Sequence, residues 1–351
     1  MTLPTNLQEN PVSKLPMTLA LVGATGEVGR AALDALDQLD LSVKALRPYA
    51  SPRSAGETVE FQGDDLRVAA LSQDAFRGCD VALFCVPAEV AREWAPRAWA
   101  EGCAVVDVSP AFRADPDVPL ALAELNPEAL ARFRARGIVA TPGPTATAVA
   151  LALAPFRAAG VERVVVSTYE PASGAGRAGV AELEREARDL LGLTEPDPAA
   201  RFPHRLAFNL IPQVGTFGEH GATDEEAGVV RDARRVLGVP GLRLTATAVR
   251  VPVFYGQAAA VNVTTREKLG ASEARELLRG APGVKVVDAP GEGIYPMPML
   301  AANEDAVLVG RVREDPSQDR GLDLFLVVEN TRKGAATNAL QLARRLAEEH
   351  L

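Results

Sequence analysis

The order of apolar and polar residues predicts two halves of different architecture. Through roughly residue 140, apolar runs of strand length alternate with segments of helical period, which is typical of a parallel sheet covered by helices on both faces. The predicted strands are 19–22, 43–46, 81–85, 104–106 and 138–140, and the predicted helices are 27–37, 88–100 and 127–136. The first half is therefore predicted to be an α/β domain.

After residue 140 the apolar runs are longer and richer in β-branched residues. Strands are predicted at 161–169, 242–251, 258–264, 307–313 and 322–328, and helices at 146–159, 179–191, 224–237, 272–278 and 332–349. Such runs predict a mostly antiparallel or mixed sheet in a second, α+β domain. The last helix is expected to return and pack on the first domain.

A glycine-rich turn follows the first predicted strand and opens the first predicted helix. Gly23, Gly26 and Gly29 are spaced for a tight turn, for close approach of the backbone to a pyrophosphate, and for close packing of the helix on the strand. The same turn contains Thr25, Glu27 and Val28. The sequence therefore predicts a Rossmann-type nicotinamide dinucleotide site, and the alternative is a glycine turn that serves packing alone.

The end of the second predicted strand favours NADP over NAD. A cofactor without a 2′-phosphate usually meets an acidic residue there, whereas this chain has Leu46-Arg47-Pro48. Shortly afterwards Ser51, Arg53 and Ser54 offer two hydroxyls and a guanidinium, which suit a phosphate. The alternative interpretation is a solvated turn without a ligand.

Charge, cysteine content and hydropathy exclude several classes of partner. The 351 residues carry a formal net charge of −9, which argues against a nucleic-acid partner. Cys79, Cys85 and Cys103 match neither a disulfide framework nor a zinc site, so no metal is predicted. No apolar run is long enough to cross a membrane, and residues 1–16 lack the apolar core of a signal peptide. We therefore expect a flexible N-terminal extension over 1–16, no membrane partner and a cytoplasmic protein.

Segments along nearly the whole chain resemble the aspartate-semialdehyde dehydrogenase family, whose members are phosphorylating NADP enzymes of amino-acid biosynthesis. The matching segments are 23–29, 50–56, 93–96, 109–113, 115–119, 124–126, 173–176, 202–209, 250–253, 260–263 and 330–336. The resemblance implies an NADP-binding Rossmann domain over 17–142 plus 331–351 and a dimerisation domain over 143–330. It also implies a homodimer, and it implies that Ser173, Gly174, Gly176 and Asn330 lie at the cofactor.

The resemblance fails at the residues that carry the family's reaction. That reaction uses a cysteine thiolate as nucleophile and a histidine to move the proton. This chain has Pro144 at the cysteine position and Gln257 at the histidine position, and neither side chain performs those roles. Thr145 and Thr147 offer hydroxyls nearby, but a threonine attacks only with a strong base beside it. The chain's histidines fall at other positions: His204, His220 and His350.

The substrate site, as implied by the resemblance, is also altered. The family's two anion-binding arginines are retained as Arg113 and Arg250. Its active-site glutamine is replaced by Glu170, and its substrate-binding lysine is replaced by Gly228. Both replacements weaken an anion site. We hypothesise that Glu170 pairs with one of the two arginines and fills the space of a substrate carboxylate.

The first functional hypothesis is a protein similar to the Usg-type paralogues of this family, which dimerises and binds nucleotide without the dehydrogenase reaction. Association with an active relative is a further possibility. The second hypothesis is an active NADP-dependent oxidoreductase, either the semialdehyde dehydrogenase itself or a reductase that transfers hydride without a covalent intermediate. For the latter, Tyr169, Tyr255 and Glu170 are the expected proton donors.

Overall fold

A computed structural model of the chain describes residues 16–39 and 41–351. The expected extension over 1–16 lies outside the described residues except for its last position. Two six-stranded sheets account for most of the strands, and a small two-stranded sheet accompanies the first of them. This arrangement confirms the predicted α/β class with a second, mixed-sheet part.

The first sheet is parallel, with the strand order β5-β2-β1-β6-β7-β8. The strands of this half are β1 (Met17–Val22), β2 (Val43–Ala50), β3 (Thr58–Phe61), β4 (Asp64–Arg67), β5 (Ala69–Ala70), β6 (Val81–Phe84), β7 (Ala104–Asp107) and β8 (Ile138–Ala140). The strands β1, β6, β7 and β8 are buried on both faces, as expected for the centre of a sheet between two helical layers. The hairpin β3-β4 was not predicted, because its short polar strands lack an apolar run.

Most of the helices fall close to their predicted bounds. The helices are α1 (Glu27–Gln38), α2 (Ala88–Ala100), α3 (Pro144–Leu153), α4 (Gly176–Leu191), α5 (Asp224–Leu237), α6 (Ala271–Arg279), α7 (Pro298–Ala301) and α8 (Thr337–Glu349). Of these, α3 ends earlier than predicted, and α7 was not predicted. Segment 127–136 forms a 3₁₀ helix over Pro127–Ala135 rather than an α-helix. The predicted helix 332–349 begins with a π-helical turn over Arg332–Ala336, where Gly334 lies against Pro144.

The second sheet is mixed and has the strand order β10-β9-β11-β14-β13-β12. Its strands are β9 (Val161–Glu170), β10 (Arg243–Arg250), β11 (Gln257–Thr265), β12 (Val284–Val286), β13 (Val307–Glu314) and β14 (Gly321–Val328). The pairs β9/β10 and β12/β13 are parallel, and the others are antiparallel. Helices α3, α5 and α6 pack against this sheet. A cavity of about 550 Å³ lies on the sheet beside Tyr169 and Phe325, whose rings are 6.1 Å apart.

The C-terminal helix α8 packs on the first sheet, as expected from the sequence. Leu340, Leu342 and Leu346 are fully buried in the same apolar cluster as the strands of that sheet. The side-chain oxygen of Asn338 accepts a hydrogen bond from the backbone of Ala123 at 2.9 Å. Within the described part of the chain, no helix is long and apolar enough to cross a membrane.

Candidate functional site

The glycine turn has the shape that a dinucleotide site requires. Gly23 has a φ of +92°, and a Cβ added there would lie 2.2 Å from the carbonyl oxygen of Cys85. A Cβ at Gly29 would lie 2.1 Å from the oxygen of Gly23, so only glycine lets α1 pack this closely on the turn. Gly26 caps α1, and its amide donates to the Gly23 carbonyl at 3.0 Å. Glu27 and Val28 then form the first turn of α1.

The residues expected to hold the 2′-phosphate lie beside this turn. The amides of Gly23 and Ala24 both donate to the carbonyl of Tyr49, near the end of β2, at 2.7 and 3.0 Å. The chain then forms a surface turn in which Ser51 and Arg53 are exposed and Ser54 is partly exposed. The amide of Ser54 donates to the carbonyl of Ser51 at 2.9 Å. This surface turn begins two residues after Tyr49, whose carbonyl is bonded to the glycine turn.

Two side chains that the sequence analysis did not single out also reach the glycine turn. The carbonyl of Thr25 accepts hydrogen bonds from Arg30 and from Arg177 of α4, each at 3.3 Å. Arg177 directly follows the 173–176 segment, and that position is the signal that would have found it. Tyr255 donates from its phenol oxygen to Glu27 at 3.1 Å, so the loop before β11 also contacts the start of α1.

The side chains of Ser173 and Asn330 are in direct contact within the second half of the chain. Both side chains are buried, and the Asn330 amide nitrogen donates to the Ser173 hydroxyl at 3.1 Å. The Asn330 oxygen accepts from the backbone of Gly256 at 3.2 Å. Gly174 lies against the guanidinium of Arg250, and Gly176 has a φ of +74° at the start of α4. These predicted cofactor residues therefore lie together, next to the predicted substrate arginine.

Pro144 is the first residue of α3, and Gly143 is its cap. The position suits a proline, because the first helical residue needs no amide hydrogen. The amide of Gly143 donates to the buried carboxylate of Asp232 at 3.3 Å. A Cβ at Gly334 would lie 2.8 Å from the Cβ of Pro144, so the proline ring packs closely on the π-helical turn.

Gln257 and Thr145 are in direct contact at this site. The Gln257 amide nitrogen donates a hydrogen bond to the Thr145 hydroxyl, and both side chains are buried. Thr145 therefore has an amide beside it instead of a base. Thr147 is also fully buried, and the structure places no hydrogen-bond partner on its hydroxyl among the described residues.

Glu170 and Arg250 pair, as hypothesised from the sequence. They end the parallel strands β9 and β10 in register, and their charged groups are 3.7 Å apart. Arg250 also donates to the carbonyl of Pro171 at 2.7 Å. Burial, together with the nearby Glu225 carboxylate, raises the pKa of Glu170 to about 8 despite the attraction of Arg250. Glu170 thus holds a proton more strongly than an ordinary glutamate.

The second arginine also has an acidic partner. The guanidinium of Arg113 lies 3.9 Å from the carboxylate of Asp232 and donates to the carbonyl of Val108 at 2.6 Å. Asp232 lies on the same face of α5 as Glu225 and Gly228, since seven and four residues separate it from them. That helical spacing is the signal that would have found Glu225 and Asp232. A Cβ added at Gly228 would have only the guanidinium of Arg231 within 4 Å, at 3.6 Å, so there is open space at the position where the resemblance implies a substrate-binding lysine.

One expected donor lies elsewhere. Tyr169 precedes Glu170 in β9, and consecutive residues of a strand point to opposite faces. Its ring contacts Phe325 across the sheet from Arg250, so its assignment to the site was wrong. His204 and His220 are exposed, and His350 lies at the end of α8 near Phe133.

Comparison with known proteins agrees with this geometry. Residues 18–133 match the model of the semialdehyde dehydrogenase NAD binding domain. Residues 153–333 match the model of the semialdehyde dehydrogenase dimerisation domain. The two halves of the chain therefore correspond to a nucleotide-binding unit and a dimerisation unit.

Individual relatives match over nearly their full length. The chain is 42% identical to aspartate-semialdehyde dehydrogenase of Aquifex aeolicus over 95% of this chain and 98% of that protein. It is 40% identical to the enzyme of Legionella pneumophila, over 95% and 97%. The crystal structure of aspartate semialdehyde dehydrogenase II from Vibrio cholerae superposes with a TM-score of 0.93 at 38% identity, covering 96% of this chain and all of that one. The chain belongs to the aspartate-semialdehyde dehydrogenase family.

Proposed function

We propose that this protein is a family member that binds a nicotinamide cofactor and dimerises but does not carry out the phosphorylating oxidation of an aldehyde. The observation that carries the proposal is the pair formed by Gln257 and Thr145, next to Pro144. A proline has no nucleophile, and a glutamine amide does not take up a proton near neutral pH. The parent reaction therefore lacks its attacking atom and its base.

The remaining thiols do not replace the missing nucleophile. The chain has three cysteines, all before residue 104. Burial raises the pKa of the Cys79, Cys85 and Cys103 thiols, so that each stays protonated at neutral pH. A protonated buried thiol is a poor nucleophile.

The charges around the two arginines also support a binding role without the parent substrate. Arg250 faces Glu170 and Arg113 faces Asp232, so each guanidinium already has a carboxylate neighbour. Burial raises the pKa of Glu225, which also lies close enough to interact with both guanidinium groups. A dianionic or phosphate-bearing ligand would therefore find acidic side chains in the space beside both arginines.

The nucleotide-binding unit supports a proposal for the cofactor, and the dimerisation unit supports one for the partner. We assign NADP to the glycine turn with Ser51, Arg53 and Ser54, and the first domain to 17–142 plus 331–351. We assign the dimerisation domain to 143–330, and with it a homodimer. In cells that also contain an active relative, we propose that the same domain pairs the two proteins as a heterodimer.

The test separates binding from turnover. Purified protein is titrated with NADPH by calorimetry, and the same preparation is assayed with aspartate semialdehyde, phosphate and NADP for reduced cofactor. The enzyme of Aquifex aeolicus serves as the active control. We expect heat of binding and no reduced cofactor. Steady formation of reduced cofactor above the control without protein would overturn the proposal.

One observation favours a second function, the direct reduction of a carbonyl. Because the pKa of Glu170 is raised to about 8, its carboxyl carries a proton at neutral pH inside the site. Such a group is able to protonate an oxyanion as a hydride arrives from the cofactor. A screen of NADPH oxidation with small oxo acids tests this function, and the Glu170→Gln variant should abolish any rate found.

A further inference from the structure

Strand β10 forms one edge of the second sheet, and only part of that edge is covered. At its end, Arg250 and Ile211 exchange backbone hydrogen bonds of 2.8 and 3.0 Å in an antiparallel bridge. The amide of Ala248 donates to the side chain of Glu226 at 2.8 Å. These bonds show which backbone groups point outward, because the direction alternates along a strand.

The alternation places the amide and carbonyl groups of Leu244 and Ala246 on the same outer edge as those of Ala248 and Arg250. No other strand pairs with this edge in the part of the chain that the structure describes. A cavity of about 560 Å³ adjoins these residues. Its wall on the α5 side includes Ala227 and Val230, so an apolar surface runs along the unpaired edge.

The cavity is also lined by arginines, although the whole chain is acidic. Arg231, Arg234 and Arg235 lie along it, and the Arg231 side chain is 38% exposed. The only acidic side chain in the lining, Glu226, is already bound to the amides of Thr223 and Ala248, each at 2.8 Å. Arg231 pairs with the buried carboxylate of Asp232 at 2.7 Å, whereas Arg234 and Arg235 donate to backbone carbonyls. On a chain of net charge −9, these last two guanidinium groups leave the groove with a positive charge.

We propose that the groove between α5 and the outer edge of β10 binds an extended, acidic segment of a partner protein. The segment adds to the sheet as an antiparallel strand in line with the Ile211 bridge, and its backbone pairs with Leu244 and Ala246. Its apolar side chains contact Val230, and its carboxylates contact Arg231 and Arg234. The proposal concerns a surface outside the cofactor and substrate sites and does not depend on whether the protein is an active enzyme.

A second copy of this chain is a poorer occupant of the same edge. Two β10 edges paired about a twofold axis would bring the arginines of both copies together. The repulsion between Arg231 and Arg234 and their counterparts would then oppose the association. Charge therefore selects an acidic partner over self-pairing.

The probe is a fluorescein-labelled hexapeptide of alternating glutamate and valine, and its binding to the full chain is followed by anisotropy. We expect saturable binding that weakens at least about tenfold between low salt and molar salt. A hexapeptide of alternating lysine and valine should not bind. Equal binding of both peptides, or no binding of the acidic one, would overturn the proposal.

Two variants locate the binding. Ala246→Pro removes the outward amide, and an edge strand tolerates proline where the amide faces outward. We expect Ala246→Pro to weaken the binding of the acidic peptide at least about tenfold, whereas the melting temperature stays close to that of the wild type. The double variant Arg231→Gln with Arg234→Gln should remove most of the salt dependence. Lys268→Gln, an exposed cation outside the groove, is the matched control and should bind as the wild type.

A third measurement covers the case in which Ala246→Pro does not fold. Peptides methylated at the amides of alternate residues lose strand pairing on one edge without any change in charge. One of the two methylated series should bind at least about tenfold more weakly to the wild-type chain. Unchanged binding of both series would overturn strand addition. Concentration-dependent self-association that Ala246→Pro removes would identify a second copy as the occupant and overturn the acidic partner.

Discussion

The side-chain amide of Gln257 donates a hydrogen bond to the hydroxyl of Thr145, one residue after the first residue of α3. The contact joins the start of β11 to the start of a helix, where the helix dipole would favour an anionic nucleophile. In this chain both partners are uncharged, and the helix begins with Pro144. The scaffold of a covalent site is therefore present with neutral groups in its central positions.

Restoring both missing groups should restore part of the reaction. Pro144→Cys places a thiol at the first position of α3, where the dipole lowers its pKa, and Gln257→His places an imidazole beside it. Nucleophile and base act as a unit, so we expect the double variant to form reduced cofactor at least about tenfold faster than either single variant. The assay uses aspartate semialdehyde, phosphate and NADP.

The thiol itself provides an independent check on that variant. Alkylation of Pro144→Cys should follow a pKa below the ordinary value of about 8.5, whereas the wild type, whose three thiols all have a raised pKa, should react slowly. Loss of the proline should also cost about 0.4–1 kcal/mol of unfolding free energy, because the unfolded chain becomes more flexible. A thiol of ordinary reactivity would contradict the expected effect of the helix.

The protonated Glu170 makes stability depend on pH. Its pKa is about 8 in the native protein against 4.5 for the free side chain, so the native state holds more protons between these values. The unfolding free energy therefore falls as the pH rises through this window. Glu170→Gln should reduce that slope by up to about 1.4 kcal/mol per pH unit, as measured by urea unfolding between pH 5.5 and 8. Glu162→Gln, in the same strand, is the control and should leave the slope unchanged.

Replacing Gly23 by alanine should destabilise the protein more than replacing Gly63. Both glycines have a positive φ, of +92° and +83°, but an added Cβ would clash only at Gly23, where it meets the backbone. We expect Gly63→Ala to cost about 1–2 kcal/mol from strain alone. Gly23→Ala should cost at least about 1 kcal/mol more and should abolish NADPH binding. Equal losses in thermal unfolding would show that the backbone around Gly23 adapts.

Arg53 should distinguish the two nicotinamide cofactors. Its side chain is exposed at the end of β2, so replacing it leaves the fold intact. We expect Arg53→Ala to weaken the binding of NADPH at least about tenfold and to leave the binding of NADH unchanged, because only NADPH carries the 2′-phosphate. Lys44→Ala, at the opposite end of the same strand, should affect neither cofactor. Calorimetric titration of both cofactors measures the difference.

Much of the fold was predictable because the main elements have strong apolar periods. The strands 19–22 and 138–140 and the helix 224–237 lie at or within two residues of their predicted bounds. The elements that were missed, such as Val284–Val286 and Pro298–Ala301, are too short for any period to appear. The helix expected to end at residue 159 becomes a 3₁₀ helix after Leu153, since Pro155 has no amide to donate.

The site was predictable where a side chain lies within a recognisable segment. The sequence predicted a pair between Glu170 and either Arg113 or Arg250, and the register of β9 and β10 makes Arg250 the partner. Asp232 was missed, because its role depends on α5 turning one face toward Arg113 and Gly143. Tyr169 was misplaced because its assignment ignored the alternation of side chains in β9. Contacts between distant elements decided the first two cases, whereas the third could have been decided from the strand alone.

The position of α8 sets the order in which the chain is able to complete its fold during synthesis. Leu340 and Leu346 fill the apolar layer beside β6 and β7, yet they follow every strand of both sheets in the chain. The second sheet, by contrast, is built entirely from residues between Val161 and Val328. One side of the core of the nucleotide-binding sheet therefore stays exposed until α8 has been synthesised, and a chain cut before Thr337 would lack the helix that covers it.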